Sequence, residues 1–285
     1  MSDFSPLSVR TINSEEVRNI AVEWALAEGW NPGLFDVDVF YAADKDGFFA
    51  GFLNDQPIAC ISVVKYNANF AFLGFYIVKK EFRGLGYGIS IWDKAIASAG
   101  NRNIGLDGVL EQQSNYEKSG FTFEYSNIRF EGKALHRKVK NNLVVPVSSV
   151  PFSELSGYDR QCFPATRDTF LREWISLPES AAFAFVENQK IKGYTVIRKC
   201  RTGYKIAPLF ADSMQIAQQL FQSACNFIVE DSIIYLDVPE VNNEALTMAK
   251  SNHMKEVFRT ARMYTEKAPD INTDKIFGVT SFELG

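Results

Sequence analysis

FYIVKKEFRGLGYGISIWDKAIASAG, residues 75–100, runs from an apolar stretch into a glycine-rich turn and then into an amphipathic pattern that stops at Gly100. The apolar run closes at Ile77-Val78. The charged segment KKEFR follows, and three glycines at alternate positions, Gly84, Gly86 and Gly88, lead into the next element. The pattern predicts strand, turn and helix. A helix N-terminus leaves backbone N–H groups unpaired and carries partial positive charge, so it holds an anion wherever the backbone comes close enough. Glycine permits that approach and permits positive φ in the turn. Arg83 adds a fixed cation beside it. These residues are expected to cradle a pyrophosphate.

Two classes of cofactor use such a cradle. A dinucleotide fold requires Gly-x-Gly-x-x-Gly directly after a strand and an acid about 20 residues on. Asp107 lies near that place. The glycines here run Gly-x-Gly-x-Gly, however, and five residues separate them from the strand. The preceding elements also read as a hairpin rather than as half of a mononucleotide-binding unit.

Before the turn, LSVRTIN reads as a strand, NSEEVRNIAVEWALAEGW as a helix capped at Asn13 or Ser14, and DVDVFYAAD as a short second helix. GFFAGFLNDQPIACISVVKYN is a hairpin about NDQP, and FAFLGFYIV is the next strand. After it come the strand NIGLDGVL, the short helix SNYEKSGF and the strand or strand pair TFEYSNIRFEG. The basic, polar KALHRKVKNN is expected to be a linker. The same order of elements then returns. NLVVPVSSVPFSEL is a strand and capped turn, TRDTFLREWISL a helix, and SAAFAFVENQKIKGYTVIRKC a hairpin. Strand, helix, a strand with Leu-Asp, a short helix and a last strand follow. Asp107 falls opposite Asp237 in the two Leu-Asp strands. This is a tandem duplication of an α+β fold with a mixed sheet, with domains expected at 1–138 and 139–285.

RGLGYG and NYEKSGF, about thirty residues apart, resemble the phosphate loop and the aromatic short helix of the GNAT superfamily, N-acetyltransferases that use acetyl-coenzyme A. The resemblance spans most of residues 7–130. The arrangement as a whole resembles bacterial tandem GNAT proteins with a divergent second domain. In the second half FADSMQ stands where the loop belongs; it has no glycine, and Asp212 repels a phosphate there. That half is read as a degenerate copy that does not bind coenzyme A.

The resemblance implies acetyl-CoA as co-substrate, with Arg83, Gly84, Leu85, Gly86, Tyr87 and Gly88 around its pyrophosphate. A backbone N–H at Val78 or Ile77 would stabilise the thioester oxygen, and the same strand edge would hold the pantetheine arm. Tyr116 would protonate the leaving thiolate, its ordinary pKa near 10 being close enough to that of a thiol. The group that deprotonates the amine is open among Glu111, a water-mediated route, and Asp36 or Asp38 on the acceptor wall. GWNPGLFD, residues 29–36, is the expected acceptor-side loop. A second reading is a non-catalytic acyl-CoA-binding or regulatory module, which needs the loop but not Tyr116.

Composition narrows the partners. The 285 residues carry a net charge of −4 and are 46% hydrophobic, which excludes a generic nucleic-acid surface and fits an ordinary globular protein. MSDFSPLSVR does not look like a signal peptide, and no apolar run spans a bilayer. Four scattered cysteines fit a reduced cytoplasm rather than a metal knuckle or disulfide scaffold. His136 and His253 have no triad or metal partner nearby in sequence. The expected partner is a small-molecule or peptide amine, with no nucleic acid, membrane or metal; the sequence is silent on oligomeric state.

Overall fold

The computed structural model describes residues 7–138 and 143–285. Residues 1–6, with most of the segment read as lacking a leader, and residues 139–142, beside the expected domain boundary, lie outside the described residues.

The first half opens with β1 (Ser8–Thr11) and α1 (Ser14–Glu16), which continues through a π-turn segment (Val17–Val22) into α2 (Glu23–Ala27). Asn13 starts it with a capping box. Its side chain accepts from the Glu16 N–H at 3.0 Å, and the Glu16 carboxylate accepts from the Asn13 N–H at 3.1 Å. After α3 (Asp36–Ala43), β2 (Phe48–Leu53) and β3 (Gln56–Lys65) form the hairpin. Asn54 and Asp55 sit at φ 49° and 62°, as a tight two-residue turn demands. Then come β4 (Phe70–Val78), α4 (Tyr87–Ala99), β5 (Asn103–Val109), α5 (Gln113–Lys118) and a single long β6 (Thr122–Lys133).

The second half repeats the order with β7 (Val144–Pro146), α6 (Phe152–Asp159), α7 (Asp168–Trp174), β8 (Ser180–Glu187), β9 (Lys190–Lys199), β10 (Tyr204–Ala211), α8 (Met214–Phe227), β11 (Ile233–Pro239), α9 (Asn243–Ser251) and β12 (Lys255–Tyr264). Two elements depart from the sequence expectation. The capped turn near Phe152 is the helix α6, and a short strand, β13 (Ile276–Gly278), follows β12.

The strands join in the order β1-β2-β3-β4-β5-β12-β6-β11-β10-β9-β8-β7, with β13 beside β10. The two halves have therefore exchanged their last long strands: β12 of the second half lies against β5, and β6 of the first lies against β11. The paired Leu-Asp residues hold this arrangement. Asp107 on β5 receives Arg262 of β12 through two contacts at 2.8 and 2.6 Å, and Asp237 on β11 receives Arg129 of β6 at 2.7 and 2.8 Å. All four side chains are buried, so removing one partner leaves an uncompensated interior charge. Asp107 is thus held as a structural partner of Arg262.

The cores are also shared. Phe40 of α3 stacks on Trp174 of α7, with ring centres 5.9 Å apart and 14° between planes, and both are fully buried. Burying side chains of this size stabilises by about 1.5–3 kcal/mol each. After β13, residues 279–285 thread back under the first half. There the Leu284 carbonyl accepts from Tyr66 Oη at 2.8 Å. Among the described residues no helix is long and apolar enough to cross a membrane, and no cluster of ligating side chains could hold a metal ion.

Candidate active site

β4 and β5 are hydrogen-bonded in parallel only from Phe70–Leu73 against Asn103–Leu106. Beyond that point they diverge. The cause lies in β4, where the register against β3 slips and Phe75 takes φ 49°, a bulge that bends the strand away. The opening holds a cavity of about 380 Å³.

Backbone direction selects a donor on its wall. The Lys79 N–H bonds the Ile58 carbonyl at 2.9 Å, and the Ile77 N–H faces Cys60 on the same neighbour, β3. Alternation along the strand leaves the Val78 N–H on the open side. Val78 and Ile77 both line the cavity, and the alternation turns the Val78 N–H rather than that of Ile77 away from β3.

The glycine turn forms the mouth. Gly84 and Gly86 sit at φ 76° and 85°, and a Cβ at either would meet nothing within 4 Å, so both face open space in a conformation that disfavours other residues. Gly88 differs: a Cβ there would lie 2.6 Å from Tyr76 Oη, so a larger residue would make that hydroxyl shift. Arg83 is anchored at the mouth by its Nε on the Val78 carbonyl at 2.7 Å and by an ion pair with Glu28 at 2.6 Å. Arg83, Gly84 and Gly88 line the cavity, whereas Leu85, half exposed, Gly86 and Tyr87, whose ring packs against Phe82, do not.

Tyr116 stands across the cavity from β4. Its ring stacks on Trp92 with centres 5.7 Å apart and covers Gly108 so closely that a Cβ there would come within 2.2 Å of it. Burial, with Tyr76 adding to it, pushes the Tyr116 hydroxyl well above its ordinary pKa, so it is protonated but a weaker acid than the ordinary tyrosine expected from the sequence. Glu111 is not part of this arrangement. It is exposed on the turn Leu110–Gln112 and does not line the cavity. Asp36 is buried on Arg198 and the Gly33 N–H, and Asp38 is exposed beside Arg18.

Trp30 of the expected acceptor-side loop does line the cavity. The second half pins that loop: the Leu34 N–H bonds the Lys199 carbonyl at 3.0 Å, and Asn31 exchanges two hydrogen bonds with Thr202. The far wall comes from the second half and was not foreseen: Phe258 and Thr260 of β12, and Phe282 and Glu283 beyond β13. No local pattern marks them, because only the strand exchange and the returning segment bring them here.

The second half has the corresponding divergence, since β10 and β11 pair only at Tyr204–Ile234 and Lys205–Tyr235. There the gap is filled by the chain itself. β13 pairs with β10, and the Val279 N–H bonds the Asp237 carbonyl at 2.8 Å. At the start of α8, Asp212 accepts from Tyr158 Oη at 2.9 Å and pairs with Lys275 at 2.8 Å.

The sequence matches the acetyltransferase (GNAT) family over residues 14–121 and an acetyltransferase (GNAT) domain over residues 155–278. It is similar to the holothin acyltransferase of a Pseudoalteromonas species, 32% identical over 272 residues that make up 95% of this chain and 92% of that one. The fold is similar to that of a putative acetyltransferase from Pyrococcus horikoshii, with a TM-score of 0.83 at 22% identity over 99% of this chain and 97% of the other. It is also similar to a tandem GNAT protein from the clavulanic acid biosynthesis pathway, with a TM-score of 0.63 at 11% identity, covering 92% of this chain and 100% of that one. The chain therefore belongs to the GNAT family of acyltransferases and carries two GNAT domains in tandem.

Proposed function

We propose that the first half transfers an acetyl group from acetyl-CoA to a primary amine by direct attack, and that the second half is a non-binding copy that closes the acceptor side. One observation carries this reading: Arg83, Gly84 and Gly88 of the turn, Val78 and Tyr116 all line the same cavity, in the gap between β4 and β5. In the reading, the pyrophosphate lies on the N–H groups of the Gly84–Gly88 turn, with Arg83 released from Glu28 to meet it. Such an exposed ion pair contributes only about 0–1 kcal/mol, so the exchange is inexpensive. The pantetheine arm pairs along β4, and the thioester oxygen accepts from Val78.

For the second half, β13 in the β10–β11 gap and Asp212 at the start of α8 both oppose coenzyme A binding. The domain division near residue 138 describes ancestry in this account, since the folded halves share strands and core. Four free, buried cysteines support a reducing, cytoplasmic setting. The relative named a holothin acyltransferase supports acyl transfer as the reaction.

Release of coenzyme A thiol, followed with a thiol reagent over a panel of primary amines, tests the reading in wild type and Tyr116→Phe. Phe keeps the stack on Trp92, so acetyl-CoA affinity should hold while kcat falls about 100-fold, the lower end for losing a general acid. An unchanged kcat would remove Tyr116 from the chemistry.

A further inference from the structure

The titratable side chains that line the cavity are few. Glu28 is held by Arg83, and Asp107 by Arg262 and Asn127. Tyr76 and Tyr116 have hydroxyls raised by burial. Glu283 remains. Its residue is 3% exposed and lines the cavity, and among the described residues no ion pair or side-chain hydrogen bond holds its carboxylate. Its backbone is fixed against β4: the carbonyl oxygen of Glu283 would lie 2.1 Å from a Cβ at Gly74, next to the Phe75 bulge where the strand opens. A second unsatisfied group borders the same cavity. Thr260 Oγ1 is buried, with no hydrogen-bond partner. A carboxylate with no ion pair and a buried hydroxyl without a partner, on one cavity, have the composition of an ammonium receptor.

The surrounding charges agree. Arg129, Arg198 and Lys205 are the cations within electrostatic reach of Glu283. Arg129 is neutralised by Asp237, and Arg198 by Asp36. Lys205 bonds the Trp30 carbonyl at 3.3 Å; burial and then Arg129 push its pKa down, while Glu283 pushes it up. None of the three forms an ion pair with Glu283 among the described residues. Trp30, Phe258 and Phe282 complete the wall, with the latter two rings 6.3 Å apart.

Resting on the transferase reading, we infer that Glu283 receives the acceptor's ammonium, with Thr260 as second partner, and takes its proton, and that the acceptor is a primary amine on a flat apolar body. One ammonium proton passes to Glu283 and from there to solvent. The nitrogen lone pair then forms the C–N bond at the thioester carbon. The C–S bond breaks with its electron pair on sulfur, the thiolate takes the Tyr116 proton, and the second amine proton restores Tyr116.

The test uses acetyl-CoA with 2-phenylethylamine as probe, and wild type, Glu283→Gln and Glu283→Asp as proteins. Acetyl-CoA affinity should be equal in all three, which also reports folding. At pH 7, Glu283→Gln should lose about 100-fold in kcat/KM, and the deficit should shrink as pH rises and free amine accumulates. Glu283→Asp should recover part of the rate. With coenzyme A bound, wild type should take up N,N-dimethyl-2-phenylethylamine but not the uncharged 2-phenylethanol, a measurement that needs no variant. A wild-type rate and pH profile in Glu283→Gln, or equal binding of the alcohol, overturns the role of Glu283. Turnover of spermidine with none of 2-phenylethylamine overturns the substrate class while leaving transfer intact. Absence of acetyl-CoA binding to wild type overturns the transferase reading, and this inference with it.

Discussion

Replacing Arg129 by Met should cost far more stability than its place on one strand of thirteen suggests. The guanidinium makes two contacts with Asp237, at 2.7 and 2.8 Å, and a third with the Trp30 carbonyl at 2.8 Å. Both side chains of the pair are 5% exposed or less. Methionine fills much of the volume, so the loss is that of a partner to a buried carboxylate, about 3–5 kcal/mol. For a chain of this size that corresponds to a fall in Tm of roughly 10 °C. Arg259→Ala on the same sheet serves as reference. Its pairs with Glu240 and Glu256 are partly exposed, and their loss should stay within about 1 kcal/mol. Asp237→Leu in the Arg129→Met background should restore much of the loss, because the stranded charge is then gone. Thermal unfolding followed by circular dichroism reads all four proteins. Since β6 and β12 are exchanged, wild type should melt in one transition that includes both halves. A fall in Arg129→Met no larger than in Arg259→Ala, or a double variant no better than the single, would refute this account of the lock.

Two further outcomes follow from the same contacts. Burial pushes the Asp237 carboxyl up, but Arg129, with Lys205 and Arg198 behind it, more than offsets this and leaves it below its ordinary value. A depressed carboxylate contributes its stability above the unfolded pKa of about 3.9 and loses it as pH falls through the folded value. The stability gap between wild type and Asp237→Asn should thus be constant near neutrality and narrow below about pH 4 in urea titrations. Gly74→Ala puts a methyl against the Glu283 carbonyl, so it should cost about 1–3 kcal/mol and displace Glu283. Turnover of amines should fall while acetyl-CoA affinity is kept; equal loss of both would place Glu283 outside the acceptor side.

What the sequence revealed, and what it hid, divides along range of contact. The glycine turn was legible because its cause is local: φ at Gly84 and Gly86, and a side chain from the adjoining strand at Gly88. The duplicated order was legible from periodicity and from the repeated Leu-Asp. The strand exchange was not. β6 and β12 each present an arginine, and β5 and β11 each present the aspartate, so the charges complement one another in either pairing and no local feature chooses. β13 is three residues whose strand character comes from β10, and Glu283 reaches the cavity only because residues 279–285 return beneath β4. Glu111, one of the candidate bases, follows the Leu-Asp strand closely in sequence, but the turn at Leu110–Gln112 leaves it in solvent.

The central claim is that one half of the chain holds an acyl-CoA and the other does not. Calorimetric titration with acetyl-CoA tests it directly in wild type, Gly86→Asp and Asp212→Ala. Asp at position 86 combines a left-handed backbone, costing about 1–2 kcal/mol, with a carboxylate facing the pyrophosphate. The expected result is one site per chain in wild type, none in Gly86→Asp and one in Asp212→Ala. Two sites in wild type, or a site that survives Gly86→Asp, would contradict the account.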